Sequence, residues 1–80
     1  MSTMSERRKY EAEELERLRK ELREQGYFYH HSASEWGYFE VGRVELIPYK
    51  GKYGVGYKLA YHRNGIGGTY HFIEYWIKED

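Results

Sequence analysis

The chain has 80 residues, no cysteine, and thirteen basic side chains balanced by thirteen acidic ones, for a net charge of zero at pH 7. This length allows one domain, and a domain of this size hides only about 60% of the surface of its unfolded chain, so the core must be small. The composition excludes disulfide staples and thiolate metal sites, and the neutral balance argues against a protein whose main work is neutralising phosphate. With no signal-like start and no apolar run of membrane-spanning length, the expectation is a soluble cytoplasmic protein with no membrane partner.

Charge and rings are segregated. Residues 6–24 hold seven acidic and seven basic groups, whereas every aromatic residue except Tyr10 follows Gly26. The first segment, TMSERRKYEAEELERLRKELREQG, reads as one helix. Thr3 with Glu6 fits a capping box, and Gly26 suits the left-handed position that ends a helix. Leu15, Leu18 and Leu22, with Ala12 one turn earlier, form a narrow apolar stripe, and Glu13–Arg17 and Glu16–Lys20 are favourable i,i+4 pairs. The stripe fades before Ala12, so residues 1–10 are expected to fray or project as an arm, leaving 11–80 as the single domain.

After Tyr27 the apolar period changes from 3.6 to 2. YFYHH reads as a short first strand, and SASEWG as a loop in which Ser32 and Glu35 cap one helical turn. YFEVGRVELIPY reads as a second strand with a break in phase, because Phe39 and Val41 differ in parity from Val44 and Leu46. A β-bulge at Gly42 would put all four on one face. Pro48 marks a strand end or an edge. Lys50-Gly51-Lys52 is a turn, YGVGYKLAYH a third strand, Asn64-Gly65 a hairpin signal and TYHFIEYWIK a fourth strand. The predicted class is α+β, a long N-terminal helix packed on a four-stranded antiparallel meander.

Parity then assigns faces. In the third strand Tyr53, Val55, Tyr57, Leu59 and Tyr61 make the apolar seat for the helix, joined by Val44 and Leu46, while Arg43, Glu45, Ile47 and Tyr49 turn away. The fourth strand has two registers. One places Tyr70, Phe72, Glu74 and Trp76 under the helix and buries a carboxylate among rings, which is costly. The other places Ile73, Tyr75 and Ile77 there and leaves Tyr70, Phe72 and Trp76 over Gly54 and Gly56, and this second register is the one expected. It gives an aromatic open face of the kind that marks interfaces.

Catalytic chemistry is sparse. His30, His31, His62 and His71 are the obvious acid–base or metal candidates, but no H-x-H pair exists, and adjacent His30 and His31 should point apart. Neither a metal nor a cofactor is expected, and no catalytic residue is assigned. A metal-independent ribonuclease would need His62 or His71 to converge with Lys58 and Arg63, which makes an enzyme the minority reading. The glycines of HRNGIGGTY lack the Lys-Ser/Thr and following helix of a phosphate loop.

The stretch RRKYEAEELERLRKELREQGYFYHHSASEWGYFEVGRVELIP resembles a segment of a broad-spectrum type II-A anti-CRISPR family, phage inhibitors of Cas9. Both run from Arg-Arg-x-Tyr through a charged helix to Gly-aromatic, a Ser-containing loop and a strand with Gly and Glu. The likeness covers about residues 7–48, and the family's longer basic arm is reduced here to Arg7, Arg8 and Lys9. The resemblance implies a phage or mobile-element inhibitor whose partner is a protein or nucleoprotein, such as a nuclease–guide complex.

Together these readings predict a small non-enzymatic binding protein that docks an aromatic sheet face and a charged helix onto a larger partner. The candidate contact residues are Tyr49, Lys58, Tyr70, Phe72, Trp76, Arg43, Arg7 and Arg8. A single-stranded nucleic-acid binder is the alternative, since rings and cations on a sheet can stack bases.

Overall fold

A computed structural model describes residues 4–62 and 70–78 of the chain. Helix α1 spans Met4–Glu24, followed by strands β1 (Tyr27–Trp36), β2 (Val44–Gly51), β3 (Gly54–His62) and β4 (Tyr70–Lys78). One helix on a four-stranded antiparallel sheet makes the protein α+β, as the change of period predicts. Thr3, Arg63 and the Asn64-Gly65 signal lie outside the described residues.

The helix ends where its sequence says it should. Gly26 takes φ +94°, and its N–H donates to the Arg23 carbonyl at 3.1 Å, which closes the last turn. Leu15 and Leu22 are buried and Leu18 packs beside them, but Ala12 is exposed, so the seated stripe begins a turn later than predicted. The stretch expected to fray is helical from Met4, and Arg7 lies against Gly42, whose N–H donates to the Glu11 carboxylate at 3.1 Å. Arg17 pairs with Glu14 and Glu21, and Arg19 with Glu16, in place of the predicted Glu13 and Lys20 pairs. These contacts are exposed to solvent, which screens them, so they add little to stability.

The strand order is β1-β4-β3-β2, so β2, β3 and β4 form the expected meander, while β1 lies beside β4 rather than beside β2. Ser32 and Glu35 therefore sit in an extended strand rather than capping a helical turn, because Ser32–Trp36 pairs with Tyr70–Glu74. Pairing overrides the weak strand propensity of Ser-Ala-Ser. The phase break before β2 is a crossing loop and not a bulge at Gly42. Residues 37–43 carry the chain over the end of the sheet, so Phe39 is buried on one face with Ala60 and Ile73, and Val44 begins β2 facing the other. The sheet's register shift lies instead in β1, between Tyr29 and His31.

The register of β4 is the costly one. Tyr57 pairs with Trp76, Leu59 with Glu74 and Tyr61 with Phe72, and paired residues share a face. Leu15, Leu22, Leu59 and Trp76 form the core beneath the helix, ringed by Tyr27, Val44, Tyr57 and Tyr61. Tyr57, Leu59 and Tyr61 of β3 thus form the helix seat, as predicted, whereas Val55 is exposed and Tyr53 lies against His31 and Tyr75 on the opposite face, and Trp76 and Glu74 join the seat. Gly56 is not a floor for rings. A Cβ there would meet the Trp76 carbonyl oxygen at 1.9 Å, so glycine is required by the close approach of β4's backbone.

Candidate binding surface

The helix-covered face is a closed lock. Glu74 is 5% exposed, yet its carboxylate accepts from Arg19 Nε at 3.1 Å, Trp76 Nε1 at 3.0 Å, the Tyr61 hydroxyl at 2.8 Å and Arg19 Nη2. Burial alone would push the carboxyl up. The donors from Arg19, Trp76 and Tyr61 outweigh it and hold the group below its ordinary value. The bond to Glu74 raises Arg19 in turn, and burial together with the Glu74 bond raises Tyr61. With four donors satisfied, this site fixes register and leaves no acceptor capacity for a ligand. A sequence signal for it exists. Arg19 follows Leu15 by four residues and precedes Leu22 by three, so one guanidinium stands on the leucine stripe to meet the one carboxylate of an apolar strand.

The opposite face is organised around rings and histidines. Near the β2–β3 turn, His31 stacks on Tyr75 at 4.5 Å, and Tyr53 meets His31 at 4.5 Å and Tyr75 at 5.3 Å. Tyr49 meets Tyr75 edge-on at 5.0 Å. Burial, and then the charge of Glu35, raises the Tyr75 hydroxyl. The β1 register shift turns His30 toward His31, with their Nδ1 atoms 2.7 Å apart, so these rings converge where strand alternation predicts divergence. No group of three or more His, Asp or Glu among the described residues could hold a metal.

Farther along this face, Glu35 Oε1 lies 3.5 Å from Lys58 Nζ and 3.9 Å from His71 Nε2, and His62 is the strand partner of His71. A histidine, a carboxylate and a cation thus converge, though with Glu35 as the carboxylate. His71 is 8% exposed, its Nδ1 donates to the Gly37 carbonyl at 3.0 Å, and Phe39 stacks on its ring at 4.4 Å beneath the Arg43 guanidinium. This packing makes the group a plug for the loop crossing rather than an open cleft.

The predicted contact residues do not share one surface. Tyr49, Lys58 and Arg43 lie on the open face as expected. Trp76 is buried under the helix, Phe72 faces Tyr61 on that same side, and Tyr70 stacks near Trp36 at 4.2 Å. The cause is the register, which spends these rings on the core and its rim. Arg7 and exposed Arg8 stand in the first turns of α1, at the end of the molecule nearest Gly42.

Parity did not find the surface at the β2–β3 turn. Tyr53 precedes Gly54, whose φ of +125° turns the chain so that the Tyr53 ring falls on the open face, against its parity. Lys52 lies over Tyr53 at 5.6 Å and Lys78 over Tyr27 at 5.4 Å, while Phe28, Tyr53 and Val55 remain exposed. A groove of about 340 Å³ lined by Tyr27, Pro48, Val55 and Tyr57 opens at the same end. The segment 48–58 carries Lys50, Lys52 and Lys58 and no acidic residue. Among the described residues, no helix is long and apolar enough to cross a membrane. Comparison of the chain with protein-family models, curated proteins and solved structures returns no match.

Proposed function

We propose that the chain is a small non-enzymatic binding protein that docks its lysine-rimmed aromatic end, built by the β2–β3 turn and the start of β1, onto an acidic surface of a larger protein or nucleoprotein. The observation that carries this reading is the coincidence at one end of exposed Phe28, Tyr53 and Val55 with Lys50, Lys52 and Lys78. Rings and cations of this kind supply interface energy and steer an anionic partner. Tyr49 and Lys58 adjoin this end, whereas Arg7 and Arg8 belong to a separate contact at the other end of the helix.

The resemblance of residues 7–48 to inhibitors of Cas9 supports a nuclease–guide complex as the partner and inhibition as the outcome. The test is DNA cleavage by a type II-A Cas9–guide complex, with affinity measured for the wild type and for a Tyr53→Ala, Lys52→Ala variant. Inhibition by the wild type, weakened at least about tenfold in the variant, supports both parts of the reading. Equal binding by both proteins overturns the docking end. Absence of wild-type binding removes this partner. Salt-sensitive binding of bare single-stranded oligonucleotides by the wild type replaces the protein-docking reading with the nucleic-acid one.

A further inference from the structure

The two edges of the sheet are guarded unequally. Edge strands expose unpaired N–H and C=O groups, and proteins blunt them with proline, lysine or bulges. Strand β2 carries Pro48 and Lys50 and is preceded by Arg43. Strand β1, the other edge, has neither proline nor a lysine or arginine, and its register shift is confined to one end, leaving His31–Trp36 regular. Its flanks are apolar and exposed. Tyr29 is 50% exposed, Trp36 71% and Tyr38 66%.

The regular part reads His31-Ser32-Ala33-Ser34-Glu35, and this sequence complements itself about its centre. We propose that β1 pairs antiparallel with β1 of a second copy about a two-fold axis at Ala33, joining two sheets into one of eight strands. In that register each His31 stands opposite Glu35 of the second copy, a hydrogen-bonding pair across the seam. Ser32 stands opposite Ser34, and the two alanines at the axis let the strands approach. Opposed residues have like parity, so the ladder closes whichever set of backbone groups points outward.

The apolar flanks fit the same register. Tyr29 pairs with Trp76 and Trp36 with Tyr70, so both turn to the helix side. Antiparallel pairing about Ala33 brings Trp36 of one copy beside Tyr29 of the other, covering the two most exposed rings of the strand. The axis runs through β1, so the β2–β3 turns stay open at the two far ends. The contact is isologous and closes at two copies, because β2, the remaining edge, is guarded.

Because the chain contains no cysteine, Ala33→Cys gives an unambiguous probe. Strand partners across an antiparallel pair have Cα atoms about 4.5–5.5 Å apart, within reach of a disulfide. Mild oxidation of Ala33→Cys should give a covalent dimer in high yield, while a Glu13→Cys control on the exposed helix should not. The wild type should sediment as a dimer at micromolar concentration, and Ser32→Lys with Ser34→Lys, both at exposed positions, should give a folded monomer with unchanged circular dichroism. A wild type that stays monomeric into the millimolar range, or cross-linking no better than the control, overturns the proposal. So does a folded lysine variant that remains dimeric.

Discussion

The two faces of this sheet solve opposite problems with similar residues. Under the helix, Trp76, Tyr61 and Arg19 surround one carboxylate and leave none of its oxygens wanting a donor. On the other face, Tyr49, Tyr53, Tyr75 and His31 contact one another beside exposed lysines, on the side of the sheet away from α1. Rings that are fully enclosed specify the fold, whereas rings stacked at an uncovered end are available to a partner. The same residue types therefore mean different things, and burial decides which.

Substitutions can break this contrast, and the largest effect belongs to the covered face. Trp76→Ala should destabilise the protein by about 4 kcal/mol in urea unfolding, with any lost binding following the lost fold. A folded Trp76→Ala protein of native stability that fails to bind would reverse the assignment. Next, Arg19→Met should cost about 3 kcal/mol, because it strands the buried Glu74 carboxylate. Adding Glu74→Leu to Arg19→Met should recover most of that loss, since a buried pair replaced by apolar groups is often neutral. No recovery would mean that the charge pair does more than fix register.

A smaller effect appears with pH. The Glu74 carboxyl lies lower in the folded chain than its ordinary 4.5, so it stabilises the fold above that value, and the contribution is lost as pH falls through the folded value. Tyr61 lies above its ordinary 10.0, so its contribution is present below pH 10 and is lost as pH rises further. Equilibrium unfolding across pH should show both limbs in the wild type, and the Arg19→Met, Glu74→Leu double variant should have a shallower acid limb. The smallest effect on stability is expected at the open end. Tyr53→Ala should change it by less than about 1 kcal/mol while reducing partner affinity about tenfold or more.

Local signals carried much of the architecture. Helix α1 was legible because Gly26 and the leucine spacing act within a few residues, and β3 because its parity is uninterrupted. The helix seat of Tyr57, Leu59 and Tyr61 followed from that parity alone. What could not be read locally was long-range. Placing β1 against β4 requires knowing that residues 37–43 cross the sheet end, and Phe39 holds that crossing through contacts with Ala60 and Ile73 far along the chain. The register of β4 differs from the expected one for an energetic reason. A lone buried Glu74 is prohibitive, but Arg19 supplies its partner from another element, 55 residues away. The open end was half legible: Tyr49 followed from alternation, and Tyr53 did not, because the chain turns at Gly54.

Strand β4 presents Trp76 to the helix and not to the open face, and every assignment of faces above depends on it. Tryptophan fluorescence tests it directly, since the chain has only Trp36 and Trp76. In a Trp36→Phe variant, emission from Trp76, 2% exposed beneath the helix, should be blue-shifted and nearly insensitive to iodide. Red-shifted, iodide-sensitive emission from Trp76 in a folded Trp36→Phe protein would contradict the register and the assignment of faces built on it.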